Sequence, residues 1–263
     1  MTQLKDQVVW ITGASSGIGE ALAISASERG AQLILSARRA DELERVRARC
    51  AAPDRVTVLA CDLMQVDQIP KFAEQAKTAY GPITVLVNNA GLSQRSLLKD
   101  TELPVYRRLM ELDYFAPVAL TQAVLPDMLA AKAGHVVAIS SVVGKMGVPL
   151  RTGYSAAKHA LHGFYEAARA ELHAEGLKFT IACPGFVQTE VSRNALNGRG
   201  GAHGELDEAI AKGITPQQCA EQVWRAVERN RDEVVIGKEA YAVLLKRFAP
   251  GVMSRILRTA KVT

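Results

Sequence analysis

The sequence predicts an α/β fold, in which one doubly wound, seven-stranded parallel sheet carries helices on both faces. Two observations lead to this prediction. Short apolar runs alternate with helix-length amphipathic stretches throughout the 263 residues, the pattern of strands buried on both faces. Hydrophobic residues make up 48% of the chain, enough for a large core, and no repeat, low-complexity tract or linker divides it. We therefore expect a single domain over residues 1–263.

Seven apolar runs are the expected strands, and the stretches between them are long enough for the crossover helices that parallel strands require. The runs occupy residues 6–11, 32–35, 56–60, 85–87, 135–139, 179–183 and 233–236. Open parallel sheets bind ligands outside the carboxyl ends of their strands. Candidate functional residues are therefore those that directly follow these runs.

The first run leads into a glycine-rich turn, Thr-Gly-Ala-Ser-Ser-Gly-Ile-Gly at 12–19, and good helix formers continue over 21–29. Glycine permits backbone torsions that are closed to other residues and lets a ligand approach the main chain. The free N–H groups at the start of the helix suit a pyrophosphate, because the positive end of the helix dipole lies there.

Three interpretations of this turn compete. A phosphate loop of the G-x-x-x-x-G-K-[ST] kind is excluded, because no lysine follows and the spacing differs. Residues 13–17 match the G-x-S-x-G nucleophile elbow of esterases, which would make Ser15 the nucleophile of a serine hydrolase. The spacing G-x-x-x-G-x-G, at Gly13, Gly17 and Gly19, indicates a dinucleotide turn instead. The motifs that follow favour this third interpretation.

Tyr154 and Lys158 are four residues apart, so they share one face of a helix. A nearby ammonium favours the ionised form of a phenol, and tyrosine needs such help because it ordinarily ionises near pH 10. The same spacing also occurs on solvated helices that have no function. Together with the glycine turn, it predicts a tyrosine that exchanges protons beside a bound dinucleotide.

Six motifs occur in register over nearly the whole chain, which resembles the common single-domain members of the short-chain dehydrogenase/reductase family. They are the turn at 12–19, Cys61-Asp62-Leu63, Asn88-Asn89-Ala90-Gly91, Ser140-Ser141, Tyr154 with Lys158, and Pro184-Gly185 with Thr189. The resemblance implies a Rossmann-like fold and an oxidoreductase that transfers a hydride between a nicotinamide cofactor and a carbonyl or secondary alcohol. It also implies a homodimer or homotetramer, paired through helices around 114–133 and 154–175.

The resemblance further assigns roles to individual residues. Ser141 would orient the substrate carbonyl, Tyr154 would act as general acid and base, and Lys158 would assist Tyr154 and hold the nicotinamide ribose. The residues expected to bind the cofactor are Gly13, Ser15, Ser16, Gly17, Ile18, Gly19, Arg38, Arg39, Asp62, Asn89, Ala90, Gly91, Tyr154, Lys158, Pro184, Gly185, Val187 and Thr189.

The residues after the second strand predict which cofactor is preferred. An NAD enzyme carries Asp or Glu about 20 residues beyond the first glycine, to hold the ribose 2′-hydroxyl. Here Ser36 occupies that place, and Arg38 and Arg39 follow. A guanidinium can give a phosphate two parallel hydrogen bonds, so we expect NADP(H) to be preferred over NAD(H). The alternative is that the two arginines merely begin a solvated helix.

Asp113 departs from the pattern of the family, which usually has asparagine there to help hold a water between the lysine and solvent. Aspartate is nearly isosteric, so it is included among the catalytic candidates. An ionised carboxylate near Lys158 would weaken the pull of the ammonium on Tyr154, which predicts a pH optimum at higher pH.

The substrate site is expected to be mostly apolar. Its predicted lining is Val143, Met146, Val148, Leu150, Phe186 and Val187, which favours a small hydrophobic ketone, aldehyde or secondary alcohol. Residues 186–214 are predicted to form a substrate lid, because glycines concentrate there at 198, 200, 201 and 204.

The C-terminal extension 238–263 is basic and amphipathic, and it carries the whole net charge of +5. Such a segment can lie on an anionic membrane surface. The favoured alternative is that its apolar face covers the substrate cleft or a neighbouring subunit. No nucleic-acid partner is expected, because aromatic residues are few and no basic stripe lies elsewhere.

A cytoplasmic location is expected, since residues 1–5 show no apolar leader. The four cysteines are widely scattered, so neither a disulfide framework nor a metal site is expected. His159 and His162 are interpreted as packing or surface residues. Two alternative functions stay open: a non-catalytic NADP(H)-binding or scaffold protein, suggested only by Asp113, and the serine hydrolase that uses Ser15.

Overall fold

The computed structural model describes residues 2–259, and within them it contains the predicted seven-stranded sheet. The strands are β1 (Val8–Thr12), β2 (Gln32–Ala37), β3 (Val56–Ala60), β4 (Val85–Asn88), β5 (Gly134–Ile139), β6 (Leu177–Pro184) and β7 (Glu233–Ile236). Every neighbouring pair is parallel, and the order across the sheet is β3-β2-β1-β4-β5-β6-β7. The direction of winding reverses between β1 and β4, which leaves a crevice at their carboxyl ends. The predicted fold class is confirmed.

Helices connect the strands and cover both faces of the sheet. They are α1 (Gly17–Glu28), α2 (Ala40–Arg49), α3 (Ile69–Tyr80), α4 (Leu103–Met110), α5 (Ala116–Ala131), α6 (Thr152–Glu171), α7 (Glu208–Ala211), α8 (Pro216–Glu228), α9 (Ala240–Phe248) and α10 (Pro250–Thr259). A π-helical turn, Glu111–Phe115, joins α4 to α5, and a 3₁₀ turn, Val142–Gly144, follows β5. No helix in the described part of the chain is both long and apolar enough to span a bilayer.

The core consists of two layers, one on each face of the sheet. Alternate side chains of β1 belong to different layers, because successive residues of a strand point to opposite faces. Val9 and Ile11 pack with α1 and α8, whereas Val8 and Trp10 pack with α3, α5 and α6. The indole N–H of the fully buried Trp224 in α8 donates a 3.1 Å hydrogen bond to the main chain of α1. This packing fixes the strand ends that carry the functional residues.

Two irregular regions flank the crevice. The segment 185–207 runs from β6 to α7, and it approaches the loop after β4 where Arg95 N donates to Leu196 O at 2.8 Å. Near the C-terminus, Met253 of α10 is buried against Val142 and Val143. Residues 260–263 of the predicted extension 238–263 lie outside the described residues.

Candidate active site

Tyr154 and Lys158 lie on the same side of α6 near its start. Lys158 Nζ is 5.7 Å from the centroid of the Tyr154 ring, and it donates a 3.2 Å hydrogen bond to Ile139 O at the end of β5. The start of α6 is held by Gln94, whose Oε1 accepts from the main-chain N–H groups of Gly153 and Tyr154 at 2.7 and 3.3 Å. The predicted pair therefore sits at the carboxyl edge of the sheet, in the wall of a cavity of about 980 Å³.

The glycine turn forms another wall of this cavity. Gly13 has φ +63°, and a Cβ there would lie 2.8 Å from Ala90 Cα, so only glycine fits between the turn and the end of β4. Asn89 Nδ2 donates to Thr12 O and Gly13 O at 2.9 and 3.1 Å, which ties the turn to β4. Ser16, the N-cap of α1, makes no side-chain capping bond, so the first amides of the helix are left to a ligand.

Ser141 follows β5 and also lines the cavity. Its Oγ donates to Pro184 O at 3.3 Å and accepts from Val143 N at 3.4 Å, both long bonds that a substrate oxygen could replace. Pro184 ends β6, so this contact joins the ends of two neighbouring strands. The cavity thus brings together the turn after β1 and the side chains of Ser141, Tyr154 and Lys158.

Comparison with known proteins agrees with this geometry. The family model for short chain dehydrogenase matches residues 7–199. The chain belongs to the short-chain dehydrogenase family, whose members are nucleotide-binding oxidoreductases. Dehydrogenase/reductase SDR family protein 7-like of Anopheles gambiae is 41% identical to it, in a match that covers 97% of this chain and 83% of that protein.

Two solved structures are similar over nearly the whole chain. A short chain dehydrogenase from Burkholderia cenocepacia, solved in complex with NADP, is 26% identical with a TM-score of 0.80, and the match covers 98% of this chain and 100% of that one. A short chain dehydrogenase/reductase from Burkholderia phymatum, solved in complex with NAD, has a TM-score of 0.86 at 22% identity, with 96% of both chains covered. The second likeness shows the fold alone.

Nearly all the cofactor residues expected for this family member line the cavity, and Gly19 is the exception. Gly19 lies behind the turn, where a Cβ would be 2.2 Å from Gly13 O. Its lack of a side chain therefore shapes the turn, and its part in cofactor binding stays a prediction. Ser15 lines the cavity, yet among residues 2–259 its hydroxyl makes no hydrogen bond to a histidine, as a hydrolase nucleophile would require.

The position that faces the adenosine end differs from the one expected from spacing. Ser36 is fully buried, and its Oγ accepts a 2.8 Å hydrogen bond from the indole of Trp10, so it points into the core. Ala37, Arg38 and Arg39 line the cavity instead. Both arginines are exposed at its rim, and neither forms an ion pair within the described part of the chain. Asp62 also lines the cavity, and its Oδ1 accepts from Met64 N at 3.1 Å.

Asp113 lies in the π-helical turn and is completely buried. Its Oδ1 is 3.5 Å from Lys158 Nζ and accepts a 3.0 Å hydrogen bond from Leu92 N. Burial raises the pKa of Asp113 to about 6, and the positive charge of Lys158 opposes this rise. Gly91 makes room for the pair, because a Cβ there would lie 2.3 Å from that carboxylate oxygen. π-Helical turns in longer helices are frequent at functional sites.

Sequence reasoning missed a group of charged residues in the substrate end of the cavity. Arg95, Arg108, Arg151 and Asp207 line it together with the expected apolar residues Val143, Met146, Val148, Phe186 and Val187. Leu150, also expected there, does not line the cavity. Arg151 precedes Tyr154 by three residues, and that helical spacing was the signal available in the sequence. Arg95 and Asp207 gave no such signal, because 112 residues separate them.

A second buried group lies behind Ser141. His162 Nε2 is 3.1 Å from Ser140 Oγ and 3.6 Å from Cys183 Sγ, and His162 Nδ1 is 3.5 Å from Glu233 Oε2. Among the described residues, these His, Cys and Glu side chains form the one cluster whose ligand atoms are close enough together to hold a metal ion. However, burial raises the pKa of the Cys183 thiol to about 12, and Glu233 is already bonded to Lys145 at 2.8 Å. The group is therefore better described as a polar network that supports β5 and the 3₁₀ turn.

Proposed function

We propose that this protein transfers a hydride between NADP(H) and the carbonyl or secondary alcohol carbon of a largely hydrophobic small molecule, with Tyr154 as general acid and base. One observation carries the proposal: Tyr154 and Lys158 share a helix face and line the same cavity as the glycine turn. A serine hydrolase would have no use for this pair, and a purely structural helix would not direct it into a cavity.

The cavity has the features that a pyridine dinucleotide requires. The uncapped amino end of α1 suits the pyrophosphate, and Pro184 and Gly185 form a wall close to Ser141, where the nicotinamide would lie. When bound, the nicotinamide supplies the hydride acceptor or donor. Asp62 lines the same cavity near the end of β3, where its carboxylate can accept a hydrogen bond from the adenine amino group.

The side chains of the protein handle the proton. During reduction, the Tyr154 hydroxyl donates its proton to the carbonyl oxygen of the substrate. The Ser141 hydroxyl turns from Pro184 O to the same oxygen and fixes its orientation. The Lys158 ammonium stabilises the phenolate that remains on Tyr154, and it also binds the nicotinamide ribose. In the oxidative direction, the phenolate takes the proton of the alcohol.

The proposed preference for NADP(H) rests on Arg38 and Arg39. Both are exposed at the cavity rim after β2, where a 2′-phosphate would lie, and a guanidinium recognises phosphate with paired hydrogen bonds. Ala37 lines the cavity beside them, and alanine has no carboxylate that could hold a free 2′-hydroxyl.

We further propose a homodimer or homotetramer. The π-helical turn and α6 present a cluster of aromatic side chains, Tyr114, Phe115 and Phe164, and Phe115 is 47% exposed. A second copy of the chain would bury this surface. Residues 186–214 would act as a lid over the substrate, and α10 would cover the substrate cleft. Contact of the C-terminal extension with a membrane surface is the less favoured alternative.

The test is to mix the protein with NADPH and follow nicotinamide fluorescence, then absorbance with a panel of carbonyl compounds. We expect binding, followed by consumption of NADPH. Tyr154→Phe should bind NADPH with similar affinity yet lose nearly all turnover, whereas Tyr241→Phe, which removes an exposed phenol outside the cavity, should behave like the wild type. Binding without turnover in the wild type would favour the non-catalytic alternative. Substantial activity of Tyr154→Phe would remove Tyr154 as the proton donor.

A further inference from the structure

Two arginines and one aspartate form a buried charged cluster at the substrate end of the cavity. Arg95 lies in the loop after β4, Arg151 directly precedes α6, and Asp207 directly precedes α7. Their exposed fractions are only 7%, 6% and 7%. Asp207 Oδ2 accepts hydrogen bonds from Arg95 Nε at 2.9 Å and from Arg151 Nη2 at 3.2 Å. One carboxylate thus faces two guanidinium groups, so the cluster carries a net charge of about +1.

The two arginines differ in how their N–H groups are used. Arg95 Nη1 donates to Ser93 Oγ at 3.0 Å and to Gln94 O at 2.7 Å, in addition to the bonds with Asp207. Across residues 2–259, the Arg151 guanidinium donates the single bond to Asp207, although guanidinium has five N–H donors. A buried charge is costly unless it is paired and hydrogen-bonded. Arg151 lines the cavity, so its remaining donors are available to a ligand there.

Local geometry holds Arg151 in this position. Leu150 has φ +65°, in the left-handed region that is uncommon for a residue with a side chain, and its carbonyl accepts a 3.1 Å hydrogen bond from Ser96 N. Such a conformation is energetically unfavourable and occurs often at ligand-binding sites. The bend places Arg151 directly before the start of α6, one turn before Tyr154. Burial, and then the repulsion from Arg95, lower the pKa of Arg151 to about 10.

The other carboxylates in the cavity wall make no hydrogen bond to Arg151 among residues 2–259. Asp113 contacts Lys158, and Glu190 pairs with Arg193 at 3.2 Å. Glu239 lies against Gly185, and Asp62 accepts a hydrogen bond from Met64 N. None of them hydrogen-bonds to Arg151, so Asp207 is its carboxylate partner in the described chain.

We propose that Arg151, supported by Arg95, binds an anionic oxygen group of the substrate, either a carboxylate or a phosphate. This inference rests on the proposed function and narrows its substrate class to anionic carbonyl compounds or alcohols with an apolar remainder. Arg151 caps the start of the helix that carries Tyr154, three residues further on, and the two side chains are close enough to interact electrostatically. The anionic group and the reacting carbon of the substrate are therefore separated by only a few bonds. The apolar wall at Val143 and Met146 receives the remainder of the molecule.

Asp207 has the opposite role in this arrangement. Its carboxylate neutralises part of the positive charge while the site is empty, and it repels an incoming anion. Replacing it by asparagine therefore strengthens anion binding, whereas replacing Arg151 by glutamine weakens it. If the cluster only anchored the segment before α7, both substitutions would loosen that segment. Neither would then alter the preference between charged and neutral substrates.

The kinetic test compares matched pairs of substrates with NADPH. One pair is a 3-oxo acid and its methyl ester, and the other is a phosphorylated hydroxyketone and its dephosphorylated form, so the two pairs separate carboxylate from phosphate. We expect the wild type to prefer the charged member of one pair at least tenfold in kcat/KM. Arg151→Gln should lower that preference at least tenfold, Arg151→Lys should keep part of it, and Asp207→Asn should raise it. Arg107→Gln, which removes an exposed positive charge outside the cavity, is the matched control.

A binding measurement decides the same question without turnover. With NADP⁺ added, inorganic phosphate and acetate are titrated at constant ionic strength, and the melting temperature is recorded. We expect one anion to raise the Tm of the wild type and of Arg107→Gln by several degrees, and to raise that of Arg151→Gln much less. An equal response of Arg151→Gln, or a wild type that prefers the neutral member of both pairs, overturns the anion site. Failure of the wild type to oxidise NADPH with any compound counts against the proposed function alone.

Discussion

Asp113 Oδ1 lies 3.5 Å from Lys158 Nζ, and both side chains are buried beside Tyr154. The pKa of Asp113 is raised to about 6, because burial disfavours its charge more strongly than Lys158 favours it. The charge of this pair therefore changes with pH. Below about pH 6 the carboxyl is neutral and Lys158 acts on Tyr154 with its full charge, whereas above it the carboxylate cancels part of that effect.

Asp113→Asn should shift alcohol oxidation to lower pH. In the proposed mechanism, oxidation uses the ionised form of Tyr154. The variant keeps the full effect of the Lys158 charge at every pH, so its rate should rise earlier on the alkaline side. Below about pH 6, where Asp113 is protonated, the two proteins should behave alike. Profiles of kcat/KM against pH check this expectation. Profiles of the two proteins that superimpose from pH 6 to 10 would show that the charge of Asp113 has no effect on Tyr154.

Gly91→Ala should disturb the same pair by steric overlap. A Cβ at this position would lie 2.3 Å from Asp113 Oδ1 and 3.4 Å from Lys158 Nζ. Overpacking of this kind destabilises a protein by about 1–3 kcal/mol, and displacement of Lys158 should also lower kcat. Urea unfolding and steady-state kinetics measure both effects.

Gly163→Ala is the control for this glycine substitution. Gly163 is exposed in the middle of α6 with no atom within 4 Å of an added Cβ, so alanine there should stabilise by about 0.5–1 kcal/mol. A Gly91→Ala protein as stable and active as the wild type would mean that Asp113 and Lys158 can shift to make room for the methyl group at no cost.

Arg38→Asp should reverse the cofactor preference. Hydrogen bonds to charged groups contribute about 1.5–3 kcal/mol each, so loss of the guanidinium should weaken NADPH binding at least tenfold, while NADH binding changes little or improves. Fluorescence titration with both cofactors measures the ratio. Arg107→Asp makes the same change of charge on an exposed part of α4 and should leave the ratio unchanged. Unaltered NADPH affinity in Arg38→Asp would rule out the 2′-phosphate contact.

The parts of the site that sequence reasoning could reach are those set by local spacing. Strands appear as apolar runs, the turn after β1 appears as a glycine pattern, and Tyr154 and Lys158 meet because a helix brings residues four apart onto one side. Each strand was predicted within a few residues. The first began too early, because Asp6, with φ +60°, belongs to a turn that precedes the strand.

The rest depends on packing between distant segments. His162, Cys183 and Glu233 come from α6, β6 and β7, and only the order of strands in the sheet brings them together. Arg151 and Asp207 meet because the segment before α7 folds back over the start of α6. Ser36 turned out to point into the core and not towards the cavity. Spacing cannot tell which face of β2 a side chain occupies when both faces of the sheet are buried.

The network behind Ser141 predicts how stability depends on pH. Contact with His162 and the 2.8 Å hydrogen bond from Lys145 lower the pKa of Glu233 from its ordinary 4.5 to about 2. A carboxyl whose pKa is lower in the folded state stabilises the fold at pH values above its unfolded pKa. This contribution is complete above about pH 4.5 and disappears as the pH falls towards 2.

Glu233→Gln should therefore be less stable than the wild type at pH 6, and the difference should shrink steadily below pH 4.5. Urea unfolding at intervals between pH 3 and 7 measures it, and Glu205→Gln, at an exposed residue without an ion pair in the described chain, serves as the control. Because Lys145 directly follows the 3₁₀ turn that Ser141 begins, the variant should also lower kcat without weakening NADPH binding. A stability difference that stays constant from pH 7 to 3 would mean that the charge of Glu233 does not stabilise the fold.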